Sequence, residues 1–134
     1  MNHNTTEHLE QSALIEWANL AEKKYPELKN LFAIPNGGKL PYVKIHKGKI
    51  WSPQRMKLVK EGLKQGVPDL FLAYPSKDFH GLFIEMKHGK NKCTTEQENW
   101  LERLFTAGYL TAICYSFESA RDTIMDYLNW KYDK

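Results

Sequence analysis

The sequence has little of what stabilises a protein from outside a core. Its 134 residues include two cysteines, Cys93 and Cys114, too few for a disulfide framework or a four-thiolate zinc site. Neither they nor His80 and His88 fall into metal-binding spacing, and a reduced, cytoplasmic setting is expected. No apolar run nears the roughly 18 residues of a membrane-spanning helix. The opening MNHNTTEHLE is too polar for a secretory leader. There is no internal repeat or low-complexity tract, and no strong net charge: 19 Lys and Arg against 16 Asp and Glu leave +3. What the chain does have is 42% hydrophobic and 13% aromatic residues, enough to bury a core. Residues 1–134 are expected to form a single domain with a basic insertion at about 39–65.

The modest net charge hides an uneven distribution. Residues 39–64 carry eight bases against Glu61 alone, for +7, whereas 1–38 come to −2 and 94–134 to −3. One cationic segment in a near-neutral chain points to a polyanion partner, the alternative being a solvated lysine-rich loop. Lys44, Lys47, Lys49 and Lys57, with Lys90 further on, are the candidates for phosphate contacts.

Periodicity predicts the element order. Leu9, Ala13, Leu14, Trp17, Leu20 and Ala21 recur every three or four residues, predicting a helix over 7–24 capped by Thr5 or Thr6. Leu31–Ile34 reads as a strand closed by the turn Pro35-Asn36-Gly37-Gly38. Lys47-Gly48-Lys49 suits a small hairpin within 39–51. Ser52-Pro53 opens a short helix expected to reach about Gln65 and stop at Gly66. Asp69–Ala73 and Leu82–Lys87 form an antiparallel hairpin with a long loop. Thr94-Thr95-Glu96-Gln97 has capping-box spacing ahead of the stripe Trp100, Leu101, Leu104 and Phe105, and Gly108 ends that helix. A strand over Tyr109–Tyr115 and a helix from Phe117 to about Trp130 complete an α/β domain whose last β-α-β unit is parallel.

The hairpin carries residues that folding alone does not require. In Leu82-Phe83-Ile84-Glu85-Met86-Lys87, Glu85 and Lys87 project to one face and Ile84 and Met86 to the other. Such an apolar run marks a strand covered on both faces, where a carboxylate and an ammonium must be partnered. Fifteen residues separate Asp69 from Glu85, about what a hairpin needs to bring them together. Two close carboxylates repel unless protonated or bridged by a cation, and hard oxygen ligands suit Mg²⁺ or Mn²⁺. A lysine beside them can hold or deprotonate a water and steady an anionic phosphate. The set Asp69, Glu85 and Lys87 therefore fits metal-assisted phosphodiester hydrolysis, although a bare E-x-K on a surface hairpin is common.

The joint pattern is more specific than any part. Gly66-Val67-Pro68-Asp69, Ile84-Glu85-Met86-Lys87 and Thr94-x-x-Gln97-x-x-Trp100 follow Glu7-His8-x-x-Gln11 and Pro35-Asn36-Gly37-Gly38. In this order they resemble the PD-(D/E)xK nuclease superfamily and, more narrowly, its virus-type replication-repair nuclease (VRR-NUC) family in the small stand-alone phage and bacterial form. The resemblance implies a restriction-endonuclease-like core, a central mixed β-sheet flanked by helices. It also implies a metal-dependent DNA endonuclease, similar to Holliday-junction resolvases that act on branched DNA as homodimers. Asp69 and Glu85 then correspond to metal ligands and Lys87 to the catalytic lysine. The rival readings are a DNA-binding subunit that kept the fold without catalysis, and a flap or nicking nuclease.

Two helical residues support a site independently. Glu10 falls in line with Trp17 on the apolar stripe, where a glutamate needs a partner, and ranks first as a further metal ligand. Glu7, toward the polar edge, ranks second. Gln97 lies on the buried face of its helix and is either a catalytic-site residue or only a cap. For a dimer, the apolar and aromatic candidates are Tyr42, Val43 and Trp51 in the basic segment and Tyr127, Trp130 and Tyr132 at the end, the last three serving either interface or core.

Overall fold

The computed structural model describes residues 3–35, 44–46 and 49–129; the side chains of 3–5, 44–46 and 49–51 lie outside that description. The order is α1 (His3–Ala21), a 3₁₀ turn (Pro26–Asn30), β1 (Leu31–Ala33), β2 (Lys44–His46), β3 (Lys49–Trp51), α2 (Pro53–Lys60), β4 (Leu70–Leu72), β5 (Leu82–Met86), α3 (Thr95–Thr106), β6 (Leu110–Cys114) and α4 (Phe117–Leu128). A mixed four-stranded sheet runs β1-β4-β5-β6, antiparallel except for the parallel β5–β6 pair. β2 and β3 pair as a separate hairpin, as the basic segment predicts.

Cross-strand register explains which residues are buried. Leu31, Leu72, Leu82 and Leu110 stand in one row, and Ala33, Leu70, Ile84 and Ala112 in a second on the same face. Leu14 and Ala18 of α1 and Ala120, Ile124 and Tyr127 of α4 complete the buried cluster with Leu70, Leu72, Leu82, Ile84 and Met86. Each large aliphatic side chain removed from water there contributes about 1.5–3 kcal/mol. The other face carries Phe32, Phe71 and Phe83 in one row. Phe71 and Phe83 stack at 4.2 Å, Phe32 meets Phe71 edge-on at 5.7 Å, and Tyr109 closes on Phe83 at 5.3 Å.

Local chemistry sets the helix ends. Ser52 accepts from the Arg55 N–H at 3.2 Å and Pro53 opens α2. That helix stops at Gly62, not Gly66. Gly62 takes the left-handed conformation (φ 113°), its N–H reaches Val59 O, and Leu63 N reaches Leu58 O, the paired closure in which glycine avoids a Cβ clash. α3 ends the same way at Gly108, with Tyr109 N on Leu104 O. α1 begins earlier than predicted, so Thr5 and Thr6 lie inside it rather than at its cap. Gly66 has its own constraint: a Cβ there would lie 2.8 Å from the Glu96 backbone, because the chain entering β4 crosses the start of α3.

Tyr127 belongs to the core and not to an interface. It is 1% exposed, and its hydroxyl donates to Tyr74 O at 2.7 Å. Tyr42, Val43, Trp130 and Tyr132, and the side chain of Trp51, lie outside the described residues. Among the described residues no helix is long and apolar enough to cross a membrane.

Candidate active site

The site stands where β4 begins and β5 ends. Leu70 pairs with Ile84, so continuing the antiparallel register by one residue sets Asp69 opposite Glu85. Side chains directly opposite one another in such a pair share a face and lie within a few ångströms. Pro68 precedes Asp69 and is fully buried; lacking an N–H, it starts the strand without leaving a donor unpaired. The Asp69 carbonyl accepts from Ile34 N at 2.8 Å and its Oδ2 accepts from Met86 N at 2.8 Å. Asp69 is thus fixed from both neighbouring strands.

Asp69, Glu85 and Lys87 are 6%, 3% and 8% exposed, a degree of burial unusual for charged side chains. Lys87 Nζ lies 3.6 Å from Glu85 Oε2, and the Lys87 N–H is tied to Cys114 O at 2.9 Å. Burial and the neighbouring Asp69 charge push the Glu85 carboxyl up to about 8, with Lys87 pulling it back and Glu7 adding a smaller upward push. The pair is therefore short of positive charge. Without a cation one proton must stay on it at neutral pH.

Gln97 caps its helix and also reaches Glu85. Thr94 Oγ accepts from Gln97 N at 3.2 Å while Gln97 Oε1 accepts from Thr94 N at 2.9 Å, the reciprocal capping box of α3. Its remaining group, Nε2, donates to Glu85 Oε2 at 3.3 Å. One side chain thereby starts the helix and holds a carboxylate, which places the N-terminus of α3 over the Glu85 face of the sheet.

The two α1 glutamates meet different partners. Glu10 Oε2 accepts from the Phe117 N–H at 2.6 Å, at the N-terminus of α4, where a carboxylate satisfies a free donor and the helix dipole. Its partner is a helix end, and its distance from the carboxylate pair is set by that attachment. Glu7, expected toward the polar edge, is 9% exposed. It bears electrostatically on Glu85 and accepts from Asn91 Nδ2 at 3.2 Å. Periodicity fixes an angle around the helix but not what faces it. Asn91 is the residue that sequence reasoning missed, since no motif or apolar pattern marks a loop asparagine.

The donor set fits a hard divalent cation. Mg²⁺ is held by one or two carboxylates and retains several waters, and Asp69 with Glu85 supplies two. Among the described residues no group of three or more His, Cys, Asp or Glu side chains converges as a metal cage, so the protein's own contribution is the Asp69–Glu85 pair. Gln11, one turn beyond Glu7 on the same side of α1, has a buried Oε1 without a donor among the described residues; an ordered water is what such an oxygen accepts from. Of the lysines read as phosphate contacts, Lys57 and Lys90 are exposed, while Lys47 and the side chains of Lys44 and Lys49 lie outside the described residues.

The sequence matches the VRR-NUC domain family over residues 5–118. Among solved structures, one described as a VRR_NUC domain protein is similar with a TM-score of 0.71, covering 93% of this chain and 89% of that one at 22% identity. No curated protein matches the chain.

Proposed function

The chain belongs to the VRR-NUC domain family, whose fold is nuclease-type, and on that premise we propose that it is a Mg²⁺- or Mn²⁺-dependent endodeoxyribonuclease. The observation that carries the reading is the buried Asp69–Glu85 pair with Lys87 beside it on one sheet face. Burying like charges side by side costs several kcal/mol, and a structural hairpin has no need of them. When bound, a divalent cation supplies a polarised water and neutralises charge on the phosphate. Asp69 and Glu85 would hold it, with Glu7 as the further carboxylate. Asp69 is kept in place by Met86 N, and Gln97 orients Glu85. Lys87 is positioned to take a proton from the attacking water or to meet the developing phosphate charge.

The preferred substrate in this reading is branched DNA, with a homodimer cutting both strands about a two-fold axis. Incubating the purified protein with four-way, flapped, nicked and linear DNA in Mg²⁺, Mn²⁺ or EDTA tests it. Metal-dependent cleavage strongest on the junction, by a species that sediments as a dimer, is expected. Cleavage that persists in EDTA overturns the metal role. Strand nicking by a monomer moves the assignment to a flap or nicking nuclease. DNA binding with no cleavage in either metal favours the non-catalytic subunit.

A further inference from the structure

We infer that Asn91 is a positioning residue that aims Glu7 at the metal position, held there by Tyr115; this rests on the metal-dependent reading above. Glu7 lies near the start of the chain and the carboxylate pair in its middle, so a segment that neighbours both is needed to set one against the other. The loop after Lys87 does so. Asn91 N closes a turn onto His88 O at 3.1 Å, and the Tyr115 hydroxyl, just beyond the end of β6, donates to Asn91 O at 3.1 Å. With its backbone pinned from two sides, Asn91 directs Nδ2 at Glu7 Oε1, 3.2 Å away. Oε1 is thereby engaged by the protein, and Oε2 is the oxygen that would face the cation.

An amide is well suited to this task. It donates without adding charge, so it does not offset the attraction of a carboxylate for a cation, whereas a lysine there would compete with the metal. Donors of this kind behind metal ligands are typically responsible for about 10- to 100-fold in metal affinity.

The test is calorimetric titration of the full chain with Mn²⁺ alone, without DNA. Asn91→Ala is expected to raise the Mn²⁺ dissociation constant by about 10- to 100-fold. In a Glu7→Gln background the same change is expected to alter it by less than about twofold, because the two residues act as one unit. Tyr115→Phe, at a side chain 44% exposed whose loss leaves the core untouched, is expected to weaken binding in the same direction by a smaller factor. Melting in EDTA reads folding separately from metal binding. Unchanged affinity in both Asn91→Ala and Tyr115→Phe overturns the inference, as does an equal loss with and without Glu7. If Asp69→Asn abolishes Mn²⁺ binding while Glu7→Gln and Asn91→Ala leave it intact, the metal reading stands and this inference falls. If the unmodified chain takes up no Mn²⁺, both fall together.

Discussion

Glu7 and Glu10 sit three residues apart on α1, yet they enter two chemically different regions. At the junction of α1 and α4, Glu10 meets a helix N-terminus, and the backbone N–H of Phe117 satisfies it. The demand there is local and the protein meets it with its own atoms. At the end of the β4–β5 hairpin stand Asp69 and Glu85, on which Glu7 bears electrostatically, and among the described residues their donors and that of Glu7 include Asn91, Gln97, Met86 N and the Lys87 ammonium. Burial and the Asp69 charge leave the Glu85 carboxyl short of positive charge even with Lys87 beside it. Where a carboxylate has a backbone partner its charge is met internally; the underpaired carboxylates are the ones that the proposed cation would complete.

The strongest way to break that contrast is to substitute the underpaired cluster. Asp69→Asn, Glu85→Gln and Lys87→Ala are each expected to lower cleavage by about 10²- to 10³-fold or more, with DNA binding retained in Lys87→Ala. Rates in saturating Mg²⁺ or Mn²⁺ alongside band-shift affinities check it. Full activity in Lys87→Ala would mean that the lysine only balances charge.

The next effect is thermodynamic and needs no DNA. The Glu85 carboxyl titrates near 4.5 when unfolded and near 8 when folded, so between those values the native state holds a proton that the unfolded chain has released. The contribution of this group to stability is full below about pH 4.5 and is lost as pH rises toward 8. The slope from this group is at most about 1.4 kcal/mol per pH unit. Mn²⁺ must displace that proton, so its stabilisation is expected to grow from pH 6 to 8 and to release protons. Melting curves across that range, with and without Mn²⁺, read both. A metal effect independent of pH would show that Glu85 is not the group being displaced.

Most of the fold was legible because its signals are local. The capping box at Thr94, the Ser52-Pro53 start, the glycine stop at Gly108 and the alternation through 82–87 each lie within a few residues. Asp69, Glu85, Lys87 and Gln97 were legible for the same reason: one hairpin and the helix after it bring them together. The end of α2 was misplaced because two glycines four residues apart offer the same stop and only backbone conformation chooses between them. The ranking of Glu7 and Glu10 depended on contacts 84 and 107 residues away, which helical periodicity does not encode. Asn91 was invisible for that reason too.

Glu10 supplies the converse and smaller test. Glu10→Gln removes the charge but keeps an acceptor at the α4 N-terminus, and is expected to cost about 0.5–2 kcal/mol, a fall of a few degrees in melting temperature. Metal affinity and cleavage at a temperature well below melting are expected to stay at the level of the unmodified chain. A tenfold loss of Mn²⁺ affinity with unchanged melting would return Glu10 to the metal site.

Exposed cations mark the third and weakest use of charge. Lys57 on α2 and Lys90 in the loop three residues beyond Lys87 are both solvent-exposed, so neither incurs a desolvation cost and neither is needed for folding. Each can contribute to DNA binding through displaced counterions, worth about 0.9 in the slope of log affinity against log salt. Lys57→Ala and Lys90→Ala are therefore expected to flatten that slope by about one apiece, with the same loss on any DNA sequence. The two differ in one respect. Lys90 shares its loop with Asn91, so its loss also acts beside the reacting phosphate, and its effect is expected to persist at high salt in the cleavage rate, where that of Lys57 vanishes. Equal behaviour of the two at high salt would make the loop a passive tether, and the contrast between underpaired and exposed charge would end at Lys87.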